Sequence, residues 1–157
     1  MKIQALTLYT SNLSGQLSFY RDTLGFKVLE QTNSSFTLKA GASELTFISK
    51  ENATPYHFAF NISAHQENAA FDWLKQKVEI LKGDGQDIVD FDNWQAKAVY
   101  FYDADQNIVE FISRRRILEK APEPFSAQSV LSISEIGLVT DDIAPIYSQL
   151  KTLGIPI

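Results

Sequence analysis

Cysteine is absent from the 157-residue sequence. This absence excludes disulfide bonds, thiolate nucleophiles and zinc sites built from cysteine. Any metal site must use His, Asp, Glu or amide side chains, and the sequence contains only two histidines. The choice of a candidate metal-binding imidazole is therefore narrow.

Long apolar runs and excess positive charge are also missing. No apolar run is long enough to span a bilayer, and the opening residues MKIQALTLYTSN turn polar too early for a signal peptide. The net charge of -5 disfavours a protein that binds nucleic acid by neutralising phosphates. The one basic cluster, Arg114 to Arg116, is expected to be a solvated exit from a strand. We therefore expect a cytoplasmic protein that binds neither membranes nor nucleic acid.

The sequence contains a repeated order of elements. Apolar periodicity predicts a strand, a helix and three more strands in the first half, and the same order again in the second. The predicted strands are 2–10, 26–31, 35–40 and 44–49 in the first half, and 56–63, 78–82, 96–103 and 107–113 in the second. The second helix is predicted to begin at a Ser63–Gln66 capping box and to run to about Lys77. A fixed order of this kind indicates a duplicated unit.

A third copy of the unit begins after a linker that contains Pro122 and Pro124. The segment 133–155 aligns with 3–26, matching Ile133 with Ile3 and Leu138 with Leu8. We predict a first module at 1–52, a second at 53–116, a linker at 117–132, and at 133–157 the opening strand and helix of a truncated third module. A lone strand and helix cannot bury their own apolar faces, so this segment should pack on the first domain or on a partner chain.

A carboxylate interrupts the last strand of the second module. Glu110 lies within NIVEFIS, among apolar residues predicted to be buried on both faces. Glutamate is almost never buried unless something pairs with it. His57 and Glu44 interrupt apolar strands at comparable places, and strand alternation puts His57, Ala59 and Asn61 on one face. These polar groups are candidates for one site.

The paired modules resemble the vicinal oxygen chelate superfamily, through SFYRDTLGFKVLE in the first and YFYDADQNIVEFIS in the second. That superfamily includes glyoxalase I, extradiol dioxygenases, fosfomycin-resistance enzymes and metal-free bleomycin-resistance proteins. The resemblance covers residues 3–113 and, as a fragment, 133–155. It implies an α+β fold in which paired βαβββ modules form a cupped mixed sheet, with a metal on the floor of the cup. These motifs are more specific for the fold than for any one reaction.

The resemblance implies a ligand set of His57, Glu110 and Glu44. The family's fourth position normally carries His, but here it is Ala5, whose methyl group cannot bind a metal. One imidazole and two carboxylates suit Fe, Mn, Ni or Zn in the divalent state. Ala5 leaves open the alternative that no metal binds, in which case His57 is hydrogen-bonded to Glu110 or Glu44.

Tyr100 and Glu110 are the candidate catalytic residues. Tyr100 stands ten residues before Glu110, similar to the spacing in extradiol dioxygenases, where the tyrosine helps to position a catecholate. Gln106 replaces the turn glycine of that pattern, and no His lies in 90–94. The alternative is that Tyr100 is an aromatic residue of the core or the cup lining.

Three functions remain open from the sequence. The first is a metal-dependent lyase, isomerase or dioxygenase acting on a small substrate with two adjacent oxygens. The second is a metal-free protein that binds a small molecule. The third is the non-catalytic N-terminal domain of a two-domain dioxygenase-like protein. In each case we expect a small-molecule substrate or ligand and a homodimer, and whether the chain is an enzyme is left open.

Overall fold

The computed structural model describes residues 3–155. The first unit contains β1, Ala5–Thr10; α1, Leu13–Ser18, which continues into a π-helical turn at Phe19–Thr23; β2, Lys27–Gln31; β3, Ser35–Ala40; and β4, Ser43–Ser49. The second contains β5, His57–Ile62; α2, Glu67–Leu74; β6, Ile80–Leu81; β7, Val89–Phe91; β8, Ala96–Tyr102; and β9, Ile108–Arg114. The third segment contributes β10, Val130–Ile136, and α3, Ile143–Thr152. Between residues 3 and 155, no helix is both long and apolar enough to cross a membrane.

The strands form two mixed sheets. The first has the order β1-β4-β3-β2, and the second has the order β10-β5-β9-β8-β6, with β7 also paired to β8. In each unit the first and last strands pair in parallel, β1 with β4 and β5 with β9, and the other pairs are antiparallel. The predicted α+β fold with paired βαβββ units and mixed sheets is confirmed.

One hydrophobic core joins the two units. Aromatic rings from both contribute to it, and the rings of Phe26 and Phe60 lie 5.5 Å apart across the join. Alternate residues of each strand point into this core, and the others lie on the opposite face of the sheet. The faces turned away from the core carry the remaining side chains of the strands, polar ones among them.

A buried carboxylate also links the units. The Asp103 side chain accepts hydrogen bonds from Gln16 Nε2 at 2.8 Å and from Tyr20 Oη at 2.9 Å, both in the first unit. Asn107 Nδ2 donates to the same carboxylate at 2.8 Å. The turn between β8 and β9 is thus attached to α1 and the π-helical turn after it.

The second helix begins later and ends earlier than predicted. It spans Glu67–Leu74, and its first residue follows Gln66, whose side chain makes no capping bond. The Ser63 hydroxyl accepts instead from the backbone N–H of Ala121, at 2.8 Å. The predicted capping box is wrong because the Ser63 side chain, which should form it, instead binds the backbone of the segment that follows β9.

The third segment packs on the first two units through its strand. β10 pairs antiparallel with β5, and its Ile133 also bridges to Ile3. β10 begins at Val130, inside the region predicted to be a linker. α3 buries no residue in this chain. The strand therefore meets the expectation of packing on the first domain, and the helix does not.

Candidate metal-binding face of the second sheet

His57 and Glu110 meet on the face of the second sheet that is turned away from the core. On β5, Phe58, Phe60 and Ile62 enter the core, so His57 lies on the other face. On the neighbouring strand β9, Glu110 is directly opposite Ala59 and shares that face. His57 Nε2 lies 3.2 Å from Glu110 Oε2, and Glu110 is only 2% exposed. The buried carboxylate noted in the sequence thus has an imidazole partner.

The protonation of His57 is controlled by this contact. The hydrogen bond to Glu110 raises the pKa of His57, and the negative charges of Glu110 and Glu135 act in the same direction against the opposing effect of burial. The histidine side chain remains 45% exposed. An acidic environment beside an accessible imidazole favours a cation at this point, either a proton or a metal ion.

Tyr100 lies beside the pair. It is directly opposite Glu110 across the antiparallel strands β8 and β9, and its ring centroid is 6.0 Å from that of His57. Burial raises the pKa of Tyr100, and the carboxylates of Glu110 and Glu135 raise it further. The phenol therefore stays protonated at neutral pH and offers a hydrogen-bond donor, not a base.

Glu135, on β10, is the second acidic residue of this face. It pairs in register with Ala59, which places it two strands away from Glu110. The alignment of residues 133–155 with 3–26 makes Glu135 the counterpart of Ala5. The first strand of the third segment thus brings a carboxylate where the first strand of the first unit has a methyl group.

Arg114 anchors Glu135. Its Nη2 donates to Glu135 Oε2 at 2.6 Å, and its Nη1 donates to Asn61 Oδ1 at 3.0 Å and to Ser134 Oγ at 2.6 Å. The next residue, Arg115, makes a two-pronged ion pair with Glu67, at 2.6 and 3.0 Å. The prediction of a solvated basic exit is therefore wrong for Arg114 and Arg115, because buried or partly buried carboxylates pair with both, and only Arg116 is exposed.

Glu44 and Ala5 lie on the other sheet. They face each other in register on the parallel strands β4 and β1, and both are exposed. Within residues 3–155, no cluster of three or more His, Asp or Glu side chains could hold a metal ion. The structure thus brings together two of the three predicted ligands, His57 and Glu110, and leaves Glu44 apart because it belongs to the first sheet.

A second, smaller cluster of buried apolar side chains lies next to the pair. Ala59, Ala96, Ala98 and Ile112 pack together on this face, with Phe91 and Tyr100 at their edges. The Phe91 ring stacks on Trp94, with centroids 5.4 Å apart. Each of these four residues is at most 1% exposed, so the pair borders a closely packed apolar layer.

Two residues of this face, Arg114 and Glu135, were not predicted from the sequence as site residues. Glu135 could have been found from the repeat alignment, since it occupies the position of Ala5 in the third copy. Arg114 carried no comparable signal, because its partners are distant in sequence: Asn61 is 53 residues away and Glu135 is 21 residues away.

Comparison with known proteins places this geometry among related folds. A model of the Glyoxalase/Bleomycin resistance protein/Dioxygenase superfamily matches residues 2–157. The metallothiol transferase FosB of Staphylococcus haemolyticus is 31% identical over 116 residues, which are 69% of this chain and 80% of that protein. FosB of Staphylococcus epidermidis has the same identity and coverage.

Solved structures give the same picture of the fold. A lactoylglutathione lyase from Agrobacterium tumefaciens superposes with a TM-score of 0.58 at 19% identity, over 71% of this chain and 92% of that one. An integron cassette protein from the mobile metagenome of a Halifax Harbour sewage outfall superposes with a TM-score of 0.62 at 21% identity, over 71% of this chain and 97% of that one.

Proposed function

Since the chain belongs to the glyoxalase/bleomycin resistance/dioxygenase superfamily, we propose that it binds a divalent metal ion at His57 and Glu110 and acts there on a small molecule with two adjacent oxygens. The observation that carries this proposal is the 3.2 Å contact between His57 Nε2 and the buried carboxylate of Glu110. An imidazole and a carboxylate on adjacent strands are first-row metal ligands, and they suit Fe, Mn, Ni or Zn in the divalent state.

The chemistry of the donor set fits a metal ion that keeps open positions. His57 and Glu110 are the two protein ligands that one chain contributes, so water or substrate oxygens would complete the coordination. A bound divalent ion would supply Lewis acidity to the substrate oxygens. The name metallothiol transferase, carried by the FosB relatives, supports metal-dependent chemistry.

The chain's own residues have separate tasks in this proposal. Tyr100 donates a hydrogen bond from its protonated phenol to a substrate oxygen, since burial and the neighbouring carboxylates keep the phenol neutral. Glu110 holds His57 in place and accepts a hydrogen bond from the imidazole when His57 is protonated.

A second candidate function is metal-free binding of a small molecule on the same face. It is favoured by Ala5, which occupies the family's usual histidine position, and by the ion-pair geometry that His57 and Glu110 form by themselves. In this alternative the pair presents a protonated imidazole to the ligand, and the carboxylate of Glu110 balances its charge.

Metal titration separates the two candidates. Protein without an affinity tag, passed over chelating resin, is titrated calorimetrically with Mn²⁺, Ni²⁺, Zn²⁺ and, under anaerobic conditions, Fe²⁺. We expect one metal per chain, with affinity reduced roughly tenfold or more in His57→Ala and in Glu110→Gln, because each substitution removes a coordinate bond. His65→Asn is the control, since His65 is exposed and asparagine tolerates its positive φ.

The outcomes are distinct. Equal metal affinity in wild type, His57→Ala and Glu110→Gln would overturn the metal site. Wild-type protein that binds none of the four ions, while circular dichroism shows an intact fold, would leave the metal-free binding function in its place.

A further inference from the structure

Arg114 presents a guanidinium on the same face as the His57–Glu110 pair. Arg114 follows Glu110 by four residues on β9, so strand alternation places both side chains on one side of the sheet. Its side chain is only 12% exposed. A nearly buried guanidinium beside a candidate binding site needs an anion, and the identity of that anion indicates what the site recognises.

Neutral acceptors fix the position of this guanidinium. Both Asn61 Oδ1 and Ser134 Oγ accept hydrogen bonds from Nη1 of Arg114. The Nη1 end of the guanidinium is therefore held by groups that carry no charge. Nη2 donates to one oxygen of Glu135, and Nε takes no part in these three bonds. The edge formed by Nε and Nη2 is therefore the side from which a planar anion can be bound by two parallel hydrogen bonds.

Glu135 and Arg114 differ strongly in exposure. The Glu135 side chain is 46% exposed, whereas that of Arg114 is 12% exposed. The carboxylate can turn into water at little desolvation cost, and the guanidinium cannot leave. Another carboxylate that replaces Glu135 would leave the charge of Arg114 balanced and its two neutral contacts intact.

The guanidinium lies close enough to the pair to serve one ligand. Asn61 is opposite Ile112 in register, and Glu135 reaches Ala59, which is opposite Glu110. The Arg114 side chain therefore extends back along the sheet toward the level of Glu110. Its positive charge also acts on Tyr100, whose pKa it lowers against the larger effects of burial and Glu110.

We propose that Arg114 is the docking group for a carboxylate of the ligand, and that Glu135 is an internal carboxylate which the ligand displaces. The ligand class is a small carboxylic acid whose oxygen pair lies at His57 and Glu110 while its carboxylate lies on Arg114. The inference rests on the proposed function only in taking this face as the ligand site, and it deepens that function by naming the substrate class. A carboxylate is chosen because the group that Arg114 already holds is a carboxylate.

Acetate binding to metal-free protein tests the proposal. Resin-treated protein is titrated with acetate, and with acetamide as the neutral isostere, while the Nε–H signal of Arg114 is followed by NMR. We expect acetate, and not acetamide, to shift this signal. Glu135→Gln should tighten acetate binding at least threefold, because it removes the competing carboxylate. Arg114→Met should abolish the binding, and Arg116→Met, at the exposed neighbouring arginine, should match wild type.

Two results would overturn the docking role: an acetate affinity in Glu135→Gln no tighter than in wild type, or undiminished binding in folded Arg114→Met. If Arg114→Met fails to fold by circular dichroism, the comparison of Glu135→Gln with wild type and Arg116→Met decides. Failure of the proposed function is distinguishable, since His57→Ala should lose metal and keep acetate. Loss of the docking role alone leaves metal binding intact.

Discussion

Glu67, Asp103 and Glu110 are each more than nine-tenths buried, and each has a different kind of partner. Glu110 meets an imidazole that is half exposed. Asp103 receives only neutral donors, and burial raises the pKa of its carboxyl despite their hydrogen bonds. Burial opposes ionisation of Glu67 as well, but the hydrogen bonds from Arg115, from the backbone and from Ser113, together with the charge of Arg115, outweigh it and lower the pKa of Glu67 to about 2. For Asp103 and Glu67 the partners thus decide whether the pKa of a buried carboxyl rises or falls.

The ion pair of Glu67 and Arg115 should make stability depend on pH. A lowered folded pKa contributes stability that is complete above the unfolded pKa of about 4.5 and is lost as the pH falls toward 2. We expect Glu67→Gln to reduce the free energy of unfolding by roughly 1–3 kcal/mol at pH 7, and the difference from wild type to shrink between pH 4.5 and 2. Urea unfolding at several pH values measures this.

Glu79→Gln is the control for that experiment, because Glu79 is exposed. It should follow wild type at every pH. If the difference in the free energy of unfolding between Glu67→Gln and wild type stayed constant from pH 7 to pH 2, packing and not charge would be responsible for it.

Single residues differed in how far the sequence could reveal them. Glu110 was recognisable because a carboxylate interrupts an apolar strand, and burial of that carboxylate beside His57 agrees with the expectation. Glu67 gave no such signal, since a glutamate in the first turn of a helix is ordinary on a surface. Its burial depends on Arg115, 48 residues later. Contacts of this range are set by tertiary packing, which local pattern does not encode.

At the scale of elements, β10 is held against the first unit by a tight turn. Gly41, in the turn between β3 and β4, has a φ of +60°, and a Cβ atom there would overlap the backbone of Leu131. The backbone N–H of Ala42 donates to the Leu131 carbonyl at 2.8 Å. The turn of the first unit and the strand of the third segment therefore depend on each other.

Gly41→Ala should be more harmful than a glycine substitution at a similar backbone angle without a neighbour. Gly85 is the matched control, since its φ is +79° and a Cβ there would meet nothing within 4 Å. Gly85→Ala should reduce the free energy of unfolding by about 1 kcal/mol, because alanine disfavours the left-handed conformation. Gly41→Ala should reduce the free energy of unfolding by roughly 1–3 kcal/mol more than Gly85→Ala, because the backbone of Leu131 must also move to make room for the new Cβ atom. Thermal melts of both variants measure the difference, and equal losses would mean that β10 moves freely away from the turn.

Elements with clear alternation were predicted well. The strand predicted at 35–40 is observed at Ser35–Ala40, and the one predicted at 44–49 at Ser43–Ser49. β10 was placed three residues late because its pairing with β5 contains two irregularities, at which the alternation of side chains breaks. β7 was missed because a three-residue strand in a loop leaves too short a pattern.

At the scale of the whole molecule, the third segment contributes unequally. β10 buries Val130 and Ile133 and covers one edge of β5, while α3 buries nothing. A chain ending at residue 138 should therefore keep the thermal midpoint of the full chain. In a chain ending at residue 129, the free energy of unfolding should fall by roughly 3–6 kcal/mol, because two core side chains that contribute about 1.5–3 kcal/mol each are removed. Calorimetry of both chains tests this, and equal midpoints for the two truncations would contradict it.

The arrangement of the units was only partly accessible from the sequence. The repeat predicted two βαβββ units and a third beginning, and the two units and the opening strand of the third are found in that order. The position of Glu44 was not accessible, because strand alternation shows which residues share a strand face but not which faces meet. The structure gives β5 its neighbour from the third segment, so Glu135 lies on the His57 face and Glu44 does not.

The pairing of β5 with β10 has a consequence for synthesis on the ribosome. The first unit is complete once residue 49 has emerged, but the outer edge of β5 must wait until about residue 136 is available. Throughout this interval the nascent chain offers an unpaired strand edge whose alternate residues are Phe58, Phe60 and Ile62, the kind of edge that recruits other chains. The face that carries His57 and Glu110 would therefore be completed late in translation, and a chaperone that shields this edge would raise the yield of folded protein.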